Sequence, residues 1–222
     1  MIKLKQHPLL AHVHPTNLEE LQRVCQELKL KKGETLFRQE EVAHSVYFVR
    51  EGTLKILKTS SMGQEKIFSL YQGGQFVALS TLFNSPHLYP ATAIAVEETV
   101  VIKVPRERLE VGILSTEGAT REWFRQLNRR LEGVQQLLTD QVFMDAKERF
   151  KKWIKRFASD EIQSSADEVF VKIPVTKQEV ADLLSIRRET FSRLLAELKE
   201  EGICEVKGKT FKISQDWLME EK

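Results

Sequence analysis

The pattern of apolar and polar positions changes character along the chain. From residue 33 to residue 104 it consists of short β-rich runs separated by turns, and half of the chain's ten glycines lie between residues 33 and 74. Glycine supplies the positive φ that tight turns need. The pattern predicts an antiparallel β-roll or barrel that ends near residue 110 and is preceded by a short helix over residues 18–28. The predicted strands are Thr35–Phe37, Val46–Val49, Thr53–Leu57, Lys66–Leu70, Ala91–Val96 and Thr99–Val104.

A second pattern begins near residue 120, where apolar residues recur alternately three and four positions apart. It predicts one helix through residue 143, roughly 35 Å long at 1.5 Å per residue. Such a helix can pair with its copy in a second chain, or it can pack on the chain's own β domain. Gln141 interrupts the pattern. The apolar residues, called the seam below, are Phe124, Leu127, Leu131, Val134 and Leu138.

The C-terminal third has helical periodicity and ends in a short β pattern. Residues 145–159, DAKERFKKWIKRFAS, predict a basic amphipathic helix with Phe150, Trp153, Ile154 and Phe157 on its inner face. The polar connector SDEIQSSADE covers residues 159–168. Two helices then lie only a few residues apart. The first is predicted to begin with a capping box from Thr176 to Glu179, and Gly202 ends the second. A hairpin through residues 207–209 completes a predicted winged helix-turn-helix.

The second of these two helices has two different faces. Four apolar residues, Phe191, Leu194, Leu195 and Leu198, lie at helical spacing and must face a core. The opposite face, called the polar face below, carries two bidentate donors, a carboxylate and a hydroxyl. An ordinary solvated helix has a similar composition, so this pattern alone leaves its role open. The polar face consists of Arg188, Glu189, Ser192 and Arg193.

Composition and charge exclude several classes of protein. The chain has 222 residues and a formal net charge of +2, which is too mild to indicate nucleic-acid binding without a local charge cluster. No stretch approaches the roughly 18 apolar residues that cross a bilayer, and no secretory leader is recognisable, so we expect a cytoplasmic protein without membrane contact. Cys25 and Cys204 indicate neither a disulfide framework nor a cysteine-ligated zinc or iron-sulfur site. Nucleotide-binding and hydrolase motifs are absent, which argues against an enzyme.

Several of these segments together resemble the Crp/Fnr family of bacterial transcription regulators. They are KGETLFRQ, VYFVREGTLKI, GQEKI, YPATA and, above all, IPVTKQEVADLLSIRRETFSRLLAELKEEGI. The resemblance covers roughly residues 15–215 and is greatest to the branch that regulates nitrate respiration. It implies an α+β chain with a cyclic-nucleotide-binding-like β-roll over residues 1–110, a dimerisation helix over residues 111–145 and a winged helix-turn-helix over residues 146–222.

The resemblance gives the polar face a function. Arg188, Glu189 and Arg193 occupy the positions at which the family's recognition helix contacts base edges, and Ser192 stands where the Fnr branch has serine. The chemistry agrees, because arginine donates two hydrogen bonds to guanine O6 and N7, and glutamate accepts one from cytosine N4. We expect half-sites of the TGTGA or TTGA type in an inverted repeat.

The resemblance also implies phosphate contacts and further partners. Thr176, Gln178, Arg187 and Thr190 match family positions that contact phosphates, although a helix cap and ordinary helix surface explain them equally well. The implied partners are double-stranded DNA, a second copy of the chain and, for an activator, RNA polymerase.

The effector of the predicted β-roll is less certain. Cyclic-nucleotide-binding members carry a Gly-Glu and an Arg-Ser or Arg-Thr pair, which Ala78-Leu79 and Tyr89-Pro90 replace here. Because a desolvated phosphate needs a cation, we expect no binding of cyclic AMP. The position of the cyclic-nucleotide site thus becomes apolar. It either binds a hydrophobic ligand or is filled by the chain's own side chains. The residues concerned are Phe76, Leu79, Tyr89 and Pro90.

Two kinds of iron cofactor were considered. The iron-sulfur cluster of the Fnr branch does not fit two cysteines. Haem, reported for some regulators of nitrate respiration, needs an axial ligand. The candidates His12, His14, His44 and His87 have no spacing that identifies a site.

Overall fold

The structure, a computed structural model, describes residues 6–158 and 167–220. The chain divides into two compact units, residues 1–133 and residues 134–222. Most of the predicted connector, residues 159–166, lies outside the described residues. Within the described ranges, no helix is both long and apolar enough to span a lipid bilayer.

The first unit is built on two antiparallel sheets with the strand orders β1-β8-β3-β6 and β2-β7-β4-β5. All six predicted strands are present, so the predicted β-roll is confirmed. The two strands that the sequence pattern missed are the edge strands β1 and β6. The strands are β1 Gln26–Leu30, β2 Thr35–Phe37, β3 Ser45–Glu51, β4 Thr53–Thr59, β5 Glu65–Gln72, β6 Phe76–Val77, β7 Thr92–Ala95 and β8 Thr99–Pro105.

Strand β3 is buried on both of its faces, because successive side chains point in opposite directions. Tyr47 and Val49 join an apolar cluster with the second sheet. Val46 and Phe48 join another cluster with residues from the helices of the same unit. These helices are α1 Pro15–Val24, α2 Arg106–Leu114 and the first part of α3 Glu117–Phe143.

The predicted helix over residues 18–28 is wrong at its C-terminal end. Helix α1 ends at Val24, and Cys25 is extended with φ −68° and ψ 141°. Residues 26–30 form strand β1, in which Leu28 pairs with Val101 of β8. A partner strand more than 70 positions away along the chain therefore overrides the local helical periodicity, and sequence pattern alone could not show that pairing.

The second unit contains residues 134–143 of α3 and a winged helix-turn-helix. Its sheet has the order β10-β11-β9, and β9 was not predicted. Phe150 is fully buried and packs against the rings of Phe191, Phe211 and Trp217, with centroids 5.7–6.3 Å away. The elements are α4 Ala146–Ala158, β9 Glu168–Lys172, α5 Lys177–Leu183, α6 Arg188–Glu200, β10 Cys204–Lys207, β11 Thr210–Ser214 and α7 Gln215–Met219.

Candidate functional site

The helix-turn-helix begins at a cap that the sequence predicted. The Thr176 hydroxyl oxygen accepts from the backbone N–H of Glu179 at 3.2 Å, and the Glu179 carboxylate accepts from the backbone N–H of Thr176 at 2.8 Å. This reciprocal pair is a capping box and satisfies two of the free N–H groups around the helix start. Helix α5 therefore starts at a fixed residue.

The turn between α5 and α6 is short and is held by backbone hydrogen bonds. Ser185 and Ile186 donate their backbone N–H groups to the carbonyls of Asp182 and Ala181, both at 3.0 Å. Ser185 has a positive φ of 55°, the left-handed conformation that reverses the chain. Arg187 is the N-cap of α6, and its side chain makes no capping hydrogen bond.

Packing of α6 on the core of the second unit decides which of its faces is free. The four apolar residues of the predicted stripe are all buried, with Phe191 and Leu198 completely so. The polar face is exposed along its length. The predicted two-faced helix is thus confirmed, and the structure brings Arg188, Glu189, Ser192 and Arg193 together on one surface.

Some charged side chains of the second unit are held in ion pairs. Examples are Lys152–Asp140 and Lys212–Glu168, both at 2.7 Å. Arg188, Glu189 and Arg193, by contrast, make no ion pair or side-chain hydrogen bond with any residue in the described ranges. These groups are available for a ligand with both donors and acceptors.

The residues proposed to contact phosphates flank the polar face. The side chains of some already make hydrogen bonds within the described part of the chain, and those of others do not. The Thr176 hydroxyl is committed to the capping box, and the Gln178 amide donates to the Asp182 carboxylate at 3.1 Å. Arg187 is exposed, and Thr190 is half-buried.

The tip of the wing adds lysines that are held differently. Lys207 is 81% exposed, Gly208 makes the turn with φ 62°, and Lys209 donates to the Pro174 carbonyl. The Lys207 ammonium group thus stays exposed, with the Glu205 carboxylate 3.8 Å away, and Lys209 is held by the segment before α5.

The seam of α3 is only partly covered by residues in the described ranges. Its five members are 38–59% exposed, whereas Trp123 on another side of the helix is buried. Packing on the chain's own β domain, the alternative interpretation, does not bury Phe124, Leu127 and Leu131, which belong to the same unit as that domain. Val142, four positions after Leu138, lies in line with the seam and is 75% exposed. The alternating pattern did not identify Val142, because it predicts a step of three positions after Leu138, and that step leads to Gln141.

The predicted effector residues of the β-roll are not gathered in one place. Phe76 and Leu79 belong to the apolar cluster that faces the helices, Tyr89 belongs to the cluster between the sheets, and Pro90 is exposed. The Tyr89 ring stacks on Phe37 at 4.0 Å and its hydroxyl donates to the Ser45 carbonyl at 2.7 Å. Burial raises the pKa of this hydroxyl. Tyr89 is thus a packed core residue.

The four candidate histidine ligands for a metal or haem are exposed or partly buried. His12, His14 and His44 are exposed, and the His87 ring lies 3.2 Å from the Thr81 carbonyl. None of these surroundings is the buried apolar pocket in which an axial histidine holds haem. No group of three or more metal-ligating side chains occurs in the described part of the chain.

His7, which the sequence did not single out, is packed most closely. Its ring contacts those of Phe76 and Phe48 edge-on, with centroids 4.9 and 5.9 Å away, and its Nδ1 accepts from the backbone N–H of Leu9. Nothing in the local sequence signals this environment, because both phenylalanines are distant along the chain.

Comparison with known proteins finds two domain families in the chain. Residues 27–113 match the model of the cyclic nucleotide-binding domain, and residues 148–216 match that of the Crp-like helix-turn-helix domain. The chain is 29% identical over 184 residues to the transcriptional activator protein FnrA of Stutzerimonas stutzeri, an alignment that covers 83% of this chain and 75% of FnrA.

Solved structures resemble the fold over most of its length. DNR from Pseudomonas aeruginosa is 28% identical, with a TM-score of 0.53 and coverage of 98% of this chain and 95% of DNR. FixK2 from Bradyrhizobium japonicum, at 23% identity, has a TM-score of 0.73 and coverage of 88% of this chain and 96% of FixK2. Among the curated relatives, FnrA and Anr are described as transcriptional activator proteins, and that of Escherichia coli as a fumarate and nitrate reduction regulatory protein.

Proposed function

Because the chain belongs to the Crp/Fnr family of transcription regulators, we propose that it is a homodimer that binds an inverted DNA repeat through α6. The observation that carries the proposal is the polar face. A buried stripe fixes the orientation of α6, and the charged groups opposite it are exposed and have no partner among the described residues. Base edges in the major groove offer the matching acceptors and donors.

Each residue of the polar face has a distinct role in this proposal. Arg188 and Arg193 donate to guanine O6 and N7, Glu189 accepts from cytosine N4, and Ser192 donates or accepts beside them. Arg188 and Glu189 lie in the first turn of α6, the part of a recognition helix that contacts base edges. Half-sites of the TGTGA or TTGA type suit this set.

Phosphate contacts fix the register of α6 on the duplex. Arg187 and Lys207 are exposed cations on either side of the polar face along the chain, and Thr190 and Gln178 have capacity for a further hydrogen bond. The hydroxyl of Thr176 is already engaged in the capping box. Its contribution is therefore to hold the start of α5 in place.

Homodimerisation through α3 is supported by the exposed seam. Pairing two copies removes this apolar surface from water, at roughly 25 cal/mol per Å² buried. A two-fold dimer places its two recognition helices about 34 Å apart, one turn of B-DNA, which explains why the expected site is an inverted repeat.

The β-roll is proposed not to bind cyclic AMP. At the two positions where cyclic-nucleotide-binding members hold the ribose and the phosphate, Leu79 and Tyr89 are buried apolar and aromatic side chains. Tyr89 packs on Phe37, which supports the proposal that core side chains occupy the position where those members bind the cyclic phosphate. Isothermal calorimetry should detect no saturable binding of cyclic AMP at micromolar concentrations.

The cellular setting follows from the proposed function. A regulator that binds DNA acts in the cytoplasm, and activation requires contact with RNA polymerase. The activator FnrA among the relatives supports activation as the mode of regulation.

Selection from a pool of random duplexes tests the proposal. The ligand-free protein should enrich an inverted repeat, and Arg188→Ala should lose about 1–3 kcal/mol of preference for that repeat over a scrambled duplex. Glu200→Ala, an exposed change at the other end of α6, is the matched control and should retain the preference. Full preference in the Arg188→Ala protein would refute the assigned role of Arg188, and enrichment of no repeat would refute the proposed function.

A further inference from the structure

The last turn of α3 is bonded to the turn of the helix-turn-helix. Gln141 stands three positions after Leu138, where the seam would continue, but its side chain is used within its own chain. Its Nε2 donates to the Ser185 hydroxyl at 3.0 Å, across 44 positions of sequence. Both residues belong to the second unit.

The neighbours of Gln141 hold it in place. The adjacent Asp140 is 6% exposed and accepts from Lys152 at 2.8 Å and from Gln136 at 2.7 Å. Burial acts to raise the pKa of Asp140, but these two hydrogen bonds and the charge of Lys152 hold the pKa below its ordinary value. Arg149 also donates to the backbone carbonyl of Gln141 at 3.3 Å. The end of α3 is therefore fixed to α4.

Ser185 is an unexpected residue for its place in the turn. Its φ of 55° is left-handed, a conformation that glycine adopts freely and that is strained for residues with a Cβ atom. A glycine there would relieve the strain but would have no hydroxyl. The serine hydroxyl is the group that accepts from Gln141, so the strained residue supplies the only side-chain atom through which this contact is made.

We propose that Gln141 is a positioning residue for DNA recognition, acting through Ser185 on the start of α6. Ser185 lies two residues before Arg187, the N-cap of α6, and three before Arg188. A hydrogen bond on Ser185 therefore restrains the turn that sets the direction of Arg188 and Glu189. The inference rests on the proposed function, since it concerns how the base-contacting side chains are aimed.

The test compares three changes with one control. Gln141→Leu removes the donor and places an apolar residue in line with the seam, so dimerisation is retained. Ser185→Ala removes the hydroxyl and keeps the backbone strain, and Ser185→Gly removes both. Gln135→Leu is the same chemical change at an exposed residue of α3, whose backbone carbonyl accepts from the Thr139 hydroxyl, and it serves as the control.

Binding is measured on the full-length protein with two probes, the inverted repeat recovered by selection and a scrambled duplex of the same composition. We expect Gln141→Leu and Ser185→Ala each to weaken binding to the repeat about fivefold, the equivalent of one ordinary hydrogen bond. The double variant should be no weaker than either single one. In the two single variants we expect no change in binding to the scrambled duplex, in the sedimentation coefficient or in the melting temperature. Ser185→Gly should lose the same selectivity but melt at a higher temperature.

The results separate a positioning role from a general structural one. Unchanged selectivity in the single variants, additive losses in the double variant, or equal losses on both duplexes would each overturn the inference. Gln135→Leu should behave as the unmodified protein. If the unmodified protein prefers no repeat over the scrambled duplex, the proposed function fails and the inference fails with it. If it is selective and the variants match it, only the inference fails.

Discussion

Individual polar side chains in this protein differ in whether they already have a partner within the chain. The hydroxyl of Thr176 is used in a cap, and the carboxylate of Asp140 is buried against Lys152. Arg188 and Glu189 have no such partner in the described part of the chain, although they are drawn from the same residue types. Availability together with their place on the exposed face of α6 therefore makes Arg188 and Glu189 candidate base contacts.

His7 gives a prediction about pH at this scale. Burial lowers the pKa of its ring; Glu122 acts to raise it and Arg129 to lower it further. The unfolded chain, with an ordinary histidine pKa near 6.5, then binds the proton more readily than the folded protein does. The free energy of unfolding should fall as the pH drops below about 6.5, until the lowered pKa is reached.

Urea denaturation at pH 7.5 and at pH 5.5 measures this effect. His7→Gln keeps an acceptor for the Leu9 N–H but cannot titrate, so the loss of stability between the two pH values should be smaller than in the unmodified protein. His44→Gln replaces an exposed histidine and should leave the pH dependence as it was. An equal loss in the His7→Gln protein would show that other groups cause it.

Residue-level prediction from the sequence succeeded where the contact is local. The capping box joins residues three apart, and Gly202 has the positive φ expected just beyond a helix end. It failed where the partner is remote, as for His7 on Phe76 or Gln141 on Ser185. A short stretch of sequence does not show which side chain from a distant part of the chain will contact it.

At the level of secondary structure, periodicity identified elements whose burial is one-sided. Helix α6 follows its pattern closely, because one face of it meets a core. Strands β1 and β9 were missed. Each is an edge strand in its sheet, and its pairing with β8 or β11 depends on a segment far along the chain. For β1 a helical pattern covered part of the same residues, whereas β9 alternates between exposed and buried residues and its period of two was a usable signal.

The seam of α3 supports a prediction about this element. Leu131 is 59% exposed on α3, and two copies of the helix should bury it together. Leu131→Glu places a charge in that contact, so self-association should weaken by roughly two orders of magnitude, as expected when an unpaired charge replaces a buried apolar group. Sedimentation velocity over a range of protein concentrations measures it.

Glu132→Gln, on a neighbouring face of the same helix, is the control and should remain as dimeric as the unmodified protein. If the Leu131→Glu protein stays equally dimeric at low concentration, another surface must hold the copies together.

For the whole molecule, the net charge of +2 says little about its partner. Acidic and basic residues nearly cancel over the whole chain, so the bulk composition averages over a surface that is locally distinct, with ion pairs in some places and, on the polar face, charges that are unpaired among the described residues. The chain length, by contrast, is informative, because 222 residues are enough to form two hydrophobic cores. The structure has two compact units. In the proposed function, their joint action depends on pairing two copies.

The spacing between DNA half-sites tests that dependence. If paired α3 helices hold the two recognition helices about 34 Å apart, both half-sites must lie on one face of the duplex. Inserting about 5 bp, half a helical turn, between them rotates one half-site to the far face. Affinity should then fall to that of a duplex with a single half-site, as measured by titration at fixed salt, because only one α6 can engage.

The Leu131→Glu protein should bind the original and the lengthened repeats equally, since it has no second recognition helix at a fixed distance. A dimer that tolerates the insertion without loss would show that its two DNA-binding units are not held at one separation.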